Sequence, residues 1–561
     1  MASVALNPGQ FGGTGERPRG LSLTYQRLML MMLVFAGVTT LIAGRLLYLQ
    51  LFTDHSGASQ IGNPLAPPRG DIVDRNGVPL ARTIDAWSIG IHPNRLLGDP
   101  DELAIKLAAL LPEHDAAGYK AMLTSGKSFV YLSRRAVPEL VSAVNGLGEP
   151  AIVFDREPER LYPQTALASH ILGWTDFDGR GVTGMERVLD GRLSDPLARA
   201  EPVSLSIDSR VQAAMEAELS AAVTKHSAVG ATGIVLDVRT GEVIAMASLP
   251  TFNPNAAGHS DANSLFNRAT MGVYELGSTF KPLTMAAAMD AGVITSMTKR
   301  YNATAPIAIG RFKIKDDHPQ NRPLNIPETL VHSSNIVTAR IAEEMGADRM
   351  QAAFRSLGFD KPAQIELDQR SRTLWPRDWG RATVMTSGFG HGVAITPLHL
   401  ATAYAALVNG GIFRPATLIH GGPVNPGRRV FSEATSLRIR QLLRLVVMDG
   451  TGKRGEAIGY RVGGKTGTAE KSMGGGYSKK VNVSTFAAAF PMDNPRYVVI
   501  AMLDAPKATA DTYGYTSAAW VAAPIVSRLI TRAGPMLGVM PDAQRDIDVS
   551  ELLPLIGDSR H

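Results

Sequence analysis

Apolar and polar positions repeat with different periods along this 561-residue chain, and one stretch has no polar face at all. From Leu28 to Gly44 no position is charged, and Leu46, Leu47, Tyr48, Leu49, Leu51 and Phe52 prolong the apolar run. A helix over 28–52 is long enough to cross a hydrocarbon core of about 30 Å. No small-x-small cleavage site follows Gly44; the chain continues as Arg45-Leu-Leu-Tyr-Leu-Gln50, an amphipathic helical ending. A retained anchor is therefore expected over a cleaved signal peptide. Arg17, Arg19 and Arg27 precede the run, which predicts an N-terminus inside and everything after about 53 outside. Residues 1–20, rich in glycine and small residues, predict disorder.

Beyond the anchor, Arg69-Gly-Asp-Ile-Val-Asp-Arg-Asn-Gly-Val-Pro-Leu-Ala81 predicts two short strands around an Asn76-Gly77 turn. Its charges, Arg69, Asp71, Asp74 and Arg75, mix both signs and read as a salt-bridged hairpin at a junction between modules, not as catalytic groups. Residues 97–150 alternate helical patterns with turns, and 170–187 are punctuated by glycine. A second regime begins near Val203. It predicts helices over 208–224, 281–292, 336–346 and 517–532. Two strands are expected within Ala231–Leu249, and others at 461–469, 483–490 and 497–503. Strands at both ends of a helical middle imply an α+β domain whose sheet is assembled from both ends.

Composition narrows the classes. Hydrophobic residues make up 45% and charged residues 19%, which excludes a wholly disordered chain. The net charge of +6 comes without a Lys/Arg run, so no nucleic-acid partner is expected. The chain has no cysteine, which removes disulfides, thiolate nucleophiles and every Cys-containing metal site.

Candidate chemistry begins at Gly277-Ser278-Thr279-Phe280-Lys281-Pro282. On a helix, Ser at i and Lys at i+3 share a face. Serine is a poor nucleophile until a base takes its proton, and lysine serves only when burial or a neighbouring cation depresses its pKa. At a helix start, exposed backbone N–H groups can also receive an oxyanion. The spacing alone is weak, for Ser296-Met-Thr-Lys299 repeats it. Two further elements select the first copy: Ser333-Ser334-Asn335 before a helical run, and Lys465-Thr466-Gly467-Thr468 on an expected strand.

In this order the three motifs resemble those of active-site serine penicillin-binding proteins and class A β-lactamases. The Ser-Ser-Asn form resembles the high-molecular-weight class B penicillin-binding proteins. So do the 69–77 segment, Thr175–Glu186, Asp237–Pro250 and Gly390–Pro397, and within class B the chain looks like the division-specific members. One departure is Tyr513-Gly-Tyr515-Thr-Ser, which lacks the paired glycines common there.

The resemblance implies a cytoplasmic tail (1–27), an anchor (28–52) and an elongated mixed pedestal module for dimerisation or partners (53–202). It further implies a serine β-lactamase-like transpeptidase domain (203–536), an antiparallel sheet flanked by helices, and a C-terminal tail (537–561). It implies a D,D-transpeptidase that cross-links peptidoglycan stem peptides ending in D-Ala-D-Ala through a serine acyl-enzyme, and a target of β-lactams. Ser278 would be the nucleophile and Lys281 the base, with Lys465 a second cation that lowers the Lys281 pKa. Ser333 would relay a proton, and Asn335 would hold Lys281 and the substrate amide. Thr466, Gly467 and Thr468 would bind the substrate carboxylate end, and the backbone N–H groups of Ser278 and Thr468 would form the oxyanion hole.

An inner-membrane location with the catalytic domain in the periplasm, an FtsW-like polytopic lipid II glycosyltransferase and other division proteins as partners, and no cofactor or metal complete what the resemblance implies. Other readings that share the motifs are an elongation-specific class B transpeptidase, a membrane-anchored β-lactamase or β-lactam sensor, and an inactive division scaffold. His391 and the Asp316-Asp317-His318 cluster read as surface features rather than metal ligands, and Lys471–Lys480 as a flexible hairpin tip.

Overall fold

The computed structural model describes residues 19–52, 69–310, 312–473 and 476–557. The disorder expected within 1–20 falls largely outside them, as do the tip of the 471–480 hairpin and the last residues of the tail. The chain divides into two units, 1–66 and 67–561.

In the first unit, helix α1 runs Arg19–Phe52. Its Arg27–Arg45 stretch is long and apolar enough to cross a membrane. Thr39 and Thr40 return their hydroxyls to the carbonyls of Phe35 and Ala36, each at 2.8 Å. Such local bonds satisfy these two hydroxyl donors on an apolar helix.

The second unit begins with a mixed sheet built on β1 (Ile72–Val73), β2 (Pro79–Ile91), β3 (Val130–Ala136), β4 (Ile152–Leu161) and β5 (Val203–Ser204). β2 pairs antiparallel with β1, β3 and β4, while β1 pairs parallel with β5. The expected turn is present: Gly77 has φ 82°, a conformation open to glycine, and the Asp74 carboxylate accepts from the N–H groups of Asn76 and Val78. β2 is far longer than the short strand expected, because β3 and β4 give it partners that the local sequence cannot reveal. Helices over Pro100–Leu110, Ala116–Leu123 and Pro138–Asn145 accompany it, with Ile89, Ile91, Leu107 and Tyr119 in a shared core.

The junction charges behave as expected, with one exception. Arg69 pairs with Glu186 and Asp190 (2.7 Å each), and Arg160 takes the other Glu186 oxygen at 2.7 Å. Asp74 instead accepts from the backbone N–H (3.1 Å) and hydroxyl (2.7 Å) of Ser209.

Chain order beyond β5 runs α2 (Ser209–His226), β6 (Gly230–Asp237), β7 (Val243–Leu249), α3 (Lys281–Asp290), α4 (Asn335–Ser356), α5 (Pro397–Val408) and α6 (Glu433–Asp449). It ends with β8 (Gly463–Met473), β9 (Gly476–Phe490), β10 (Tyr497–Asp504) and α7 (Ala523–Ala533). The sheet is antiparallel in the order β8-β9-β10-β6-β7, so both ends of the segment do build it. Its pleat sorts side chains by parity. Phe486, Ala488, Val499 and Ala501 pack with α2 and α7, while Ala487, Ala489, Val498 and Ile500 pack with α3, α4, α5 and α6.

α4 breaks at Gly346 (φ 77°), where the expected helix ends, and a second helical stretch carries on to Ser356. Two other features differ from expectation. The 517–532 helix splits into Ala518–Val521 and α7, where Pro524 lacks the N–H a continuous helix needs. The tail is packed: Ile547, Val549, Leu552 and Ile556 are buried in the core, and Arg444 binds Asp546 at 2.9 Å.

Candidate active site

Ser278 stands on a single 3₁₀ turn, Gly277–Phe280, that leads directly into α3. Pro282 lies in the first turn of that helix, where its missing N–H has no intrahelical partner to lose. The turn is held by its surroundings. The Gly277 N–H donates to Gly390 at 3.2 Å, the Thr279 hydroxyl to Leu276 at 2.9 Å, and the buried Tyr404 hydroxyl to the Thr279 carbonyl at 2.8 Å. Gly390 (φ 82°) lies so close that a Cβ there would sit 2.2 Å from the Gly277 carbonyl oxygen. Ser278 itself is half-buried, and its hydroxyl makes no hydrogen bond among the described residues.

One helical turn on, Lys281 is fully buried and meets the second motif. Ser333 adopts φ 58°, a left-handed conformation rare for a residue with a side chain. Lys281 Nζ donates to the Ser333 carbonyl and, at 3.0 Å, to Ser333 Oγ. Lys465, equally buried, donates to the same Oγ at 3.0 Å and to the Thr466 carbonyl at 3.0 Å. Lysines of the first and third motifs thus converge on one hydroxyl oxygen of the second, which has two lone pairs to offer.

Burial makes both ammonium groups costly. It pushes Lys281 down to about 7, against the opposing pull of the Asp316 and Asp317 carboxylates. It pushes Lys465 well below the ordinary lysine range, and the charge of Lys281 adds to the effect. Desolvation is the first cause for both lysines, and the repulsion between two ammonium groups that share one acceptor works in the same direction.

The third motif lies on β8, the edge strand. Gly467 faces the Ser278 turn, where a Cβ would stand 2.3 Å from the Leu276 carbonyl oxygen. The Thr468 carbonyl also faces Gly277. In an extended strand the N–H and C=O of one residue point to the same side, so the Thr468 N–H is turned toward that turn as well. The two threonines differ. Thr466 is buried, and its hydroxyl is bonded to that of Thr451 at 2.7 Å. Thr468 is exposed, and its oxygen accepts from the Ala518 N–H at 3.1 Å, which leaves its own proton free.

Two expectations need revision. The Asn335 amide donates to the Lys315 carbonyl at 3.0 Å, and Lys281 Nζ donates to Ser333 and not to Asn335 Oδ1. Asp316, read from sequence as part of a surface turn, is buried, and its carboxylate accepts from Ser334 Oγ (2.8 Å) and the Ile336 N–H (2.9 Å). The signal was indirect: a helix start after Ser334 leaves backbone donors that favour a carboxylate. The second Ser-x-x-Lys copy forms no such site, because Lys299 is paired with Glu344 at 2.8 Å and the Ser296 hydroxyl is bonded to Thr298.

A serine beside two buried lysines on an α+β scaffold has the parts that serine acyl transfer needs. The chain matches the penicillin binding protein transpeptidase domain over residues 231–527 and the penicillin-binding protein dimerisation domain over 64–194. It belongs to the penicillin-binding protein transpeptidase family. A probable peptidoglycan D,D-transpeptidase FtsI of Caulobacter vibrioides is 41% identical over 488 residues, covering 84% of this chain and 82% of that one. The peptidoglycan D,D-transpeptidase FtsI of Escherichia coli K12 is 29% identical over 518 residues, 86% of each. Penicillin binding protein 3 of Mycobacterium tuberculosis, solved in complex with aztreonam, superposes with a TM-score of 0.66 at 26% identity, covering 84% of this chain and 97% of that one.

Proposed function

We propose that this chain is a serine D,D-transpeptidase of septal peptidoglycan synthesis, acylated by stem peptides ending in D-Ala-D-Ala and by β-lactams. The observation that carries the reading is the convergence of Lys281 and Lys465 on Ser333 Oγ below the turn that presents Ser278. The names of the relatives supply the substrate class.

In the proposed sequence, Ser278 Oγ attacks the carbonyl of the penultimate D-Ala, and neutral Lys281 accepts its proton. The backbone N–H groups of Ser278 and Thr468 receive the oxyanion, a contribution of about 3–4 kcal/mol per donor in comparable sites. As the C–N bond breaks, the proton passes through Ser333 to the departing D-Ala amine. An amine of a second stem peptide then attacks the acyl-enzyme, gives up a proton through the same path and restores the Ser278 hydroxyl. The exposed Thr468, with Lys465 on the same strand, suits the terminal carboxylate, while Lys281, one helical turn from Ser278, holds the base position.

Residues 28–52 serve as a retained anchor behind the tail 1–27, with the N-terminus inside and the pedestal (53–202), catalytic domain (203–536) and tail (537–561) outside. A lipid II glycosyltransferase of the FtsW type is the expected partner at the septum. The test is a donor pentapeptide supplied with an acceptor stem peptide. Free D-Ala together with a cross-linked dimer is the expected result. Hydrolysed donor without dimer would overturn the transferase reading.

A further inference from the structure

The acidic segment before the second motif is unused by this mechanism, yet it is built into the site. Asp316 is 5% exposed and uses both carboxylate oxygens on the start of α4, one on the Ser334 hydroxyl and one on the Ile336 N–H. Ser334 is the N-cap of that helix and accepts from the Val337 N–H at 3.1 Å. The neighbouring Lys315 carbonyl receives the Asn335 amide. Segment 315–316 therefore grips Ser334, Asn335 and Ile336 by three hydrogen bonds, while Ser333 just before them holds its left-handed conformation between two lysines. Nothing local favours that conformation, so neighbours must hold it.

We propose that Asp316 is a positioning residue of this site: its buried carboxylate fixes the Ser333-Ser334-Asn335 turn that presents one carbonyl and one hydroxyl to the lysines, and its charge offsets the buried ammonium. The charged groups that act on Lys281 are Asp316 and Asp317, and Lys465 shares its Ser333 acceptor. Removing the Asp316 charge therefore makes the Lys281 proton easier to lose.

The proposal rests on the acyl-enzyme reading above, and the experiment separates the two. Full-length protein in detergent carries Asp316→Asn, which keeps shape and one acceptor oxygen but not charge, or Asp316→Ala, which removes the grip. The second-order acylation constant with one fluorescent penicillin is measured across pH, beside thermal unfolding. Asp316→Asn should move the acidic limb of the profile toward lower pH by about one pH unit, the effect of one nearby charge. Asp316→Ala should slow acylation at least about tenfold at every pH, as misplaced catalytic groups do. An Asp316→Asn limb that stays in place or moves upward overturns the proposal, as does an Asp316→Ala variant that acylates like wild type. If Asp316→Ala does not fold, the Asp316→Asn limb decides alone. Labelling that survives Ser278→Ala would instead defeat the acyl-enzyme reading.

Discussion

Lys281 and Lys465 donate to the same hydroxyl oxygen, and the proposed reaction gives them different work. Lys281 follows the nucleophile by one helical turn and is held near neutrality, at about 7, so it can take a proton at working pH. Acylation needs its neutral form, whose population rises with pH through that value. The acylation constant of wild type should therefore fall as pH drops below about 7 and level off above it, readable from penicillin-labelling rates. Lys281→Arg keeps the cation but gives up deprotonation, so acylation should fall on the order of 10²–10⁴-fold with circular dichroism unchanged. Lys465→Arg should acylate more slowly than wild type but well above Lys281→Arg. Equal losses would show that Lys281 is not the sole base.

At the scale of elements, the site is a strand edge pressed against a turn. Gly467 is where β8 and the Leu276–Thr279 backbone nearly touch. Gly467→Ala would place a methyl group 2.3 Å from the Leu276 carbonyl oxygen and force the two apart. Displacements of about 1 Å can cost on the order of 10²-fold in rate, so acylation should drop by that order while the sheet, followed by circular dichroism, persists. What could be read from sequence here was whatever local geometry determines. A Ser-x-x-Lys spacing fixes a helix face, the pattern within Ala231–Leu249 fixes two paired strands, and the apolar run at 497–503 fixes a strand buried on both faces. What could not be read depends on partners distant in the chain. Asp316 looked like a solvated turn because nothing nearby shows that Ser334 and Ile336 will close over it. The long β2, the Thr466–Thr451 bond and the packed tail escaped for the same reason.

For the whole molecule, the junction rests on Glu186, fully buried between Arg69 and Arg160. Removing one partner of a buried ion pair strands charge in a dry interior, at about 3–5 kcal/mol. Glu186→Ala should therefore lower stability by that order in chemical denaturation, and a change within error would show the network to be dispensable. Unit 67–561 contains its own cores, so a chain lacking residues 1–52 should be soluble and still bind penicillin. N-terminal sequencing of the full-length protein should find a start near Met1 and not between about 45 and 65. The account depends most on which serine becomes acylated. Mass spectrometry of penicillin-treated, digested protein should place the adduct on the peptide carrying Ser278, with none in Ser278→Ala. An adduct on Ser296, or one that persists in Ser278→Ala, would contradict it.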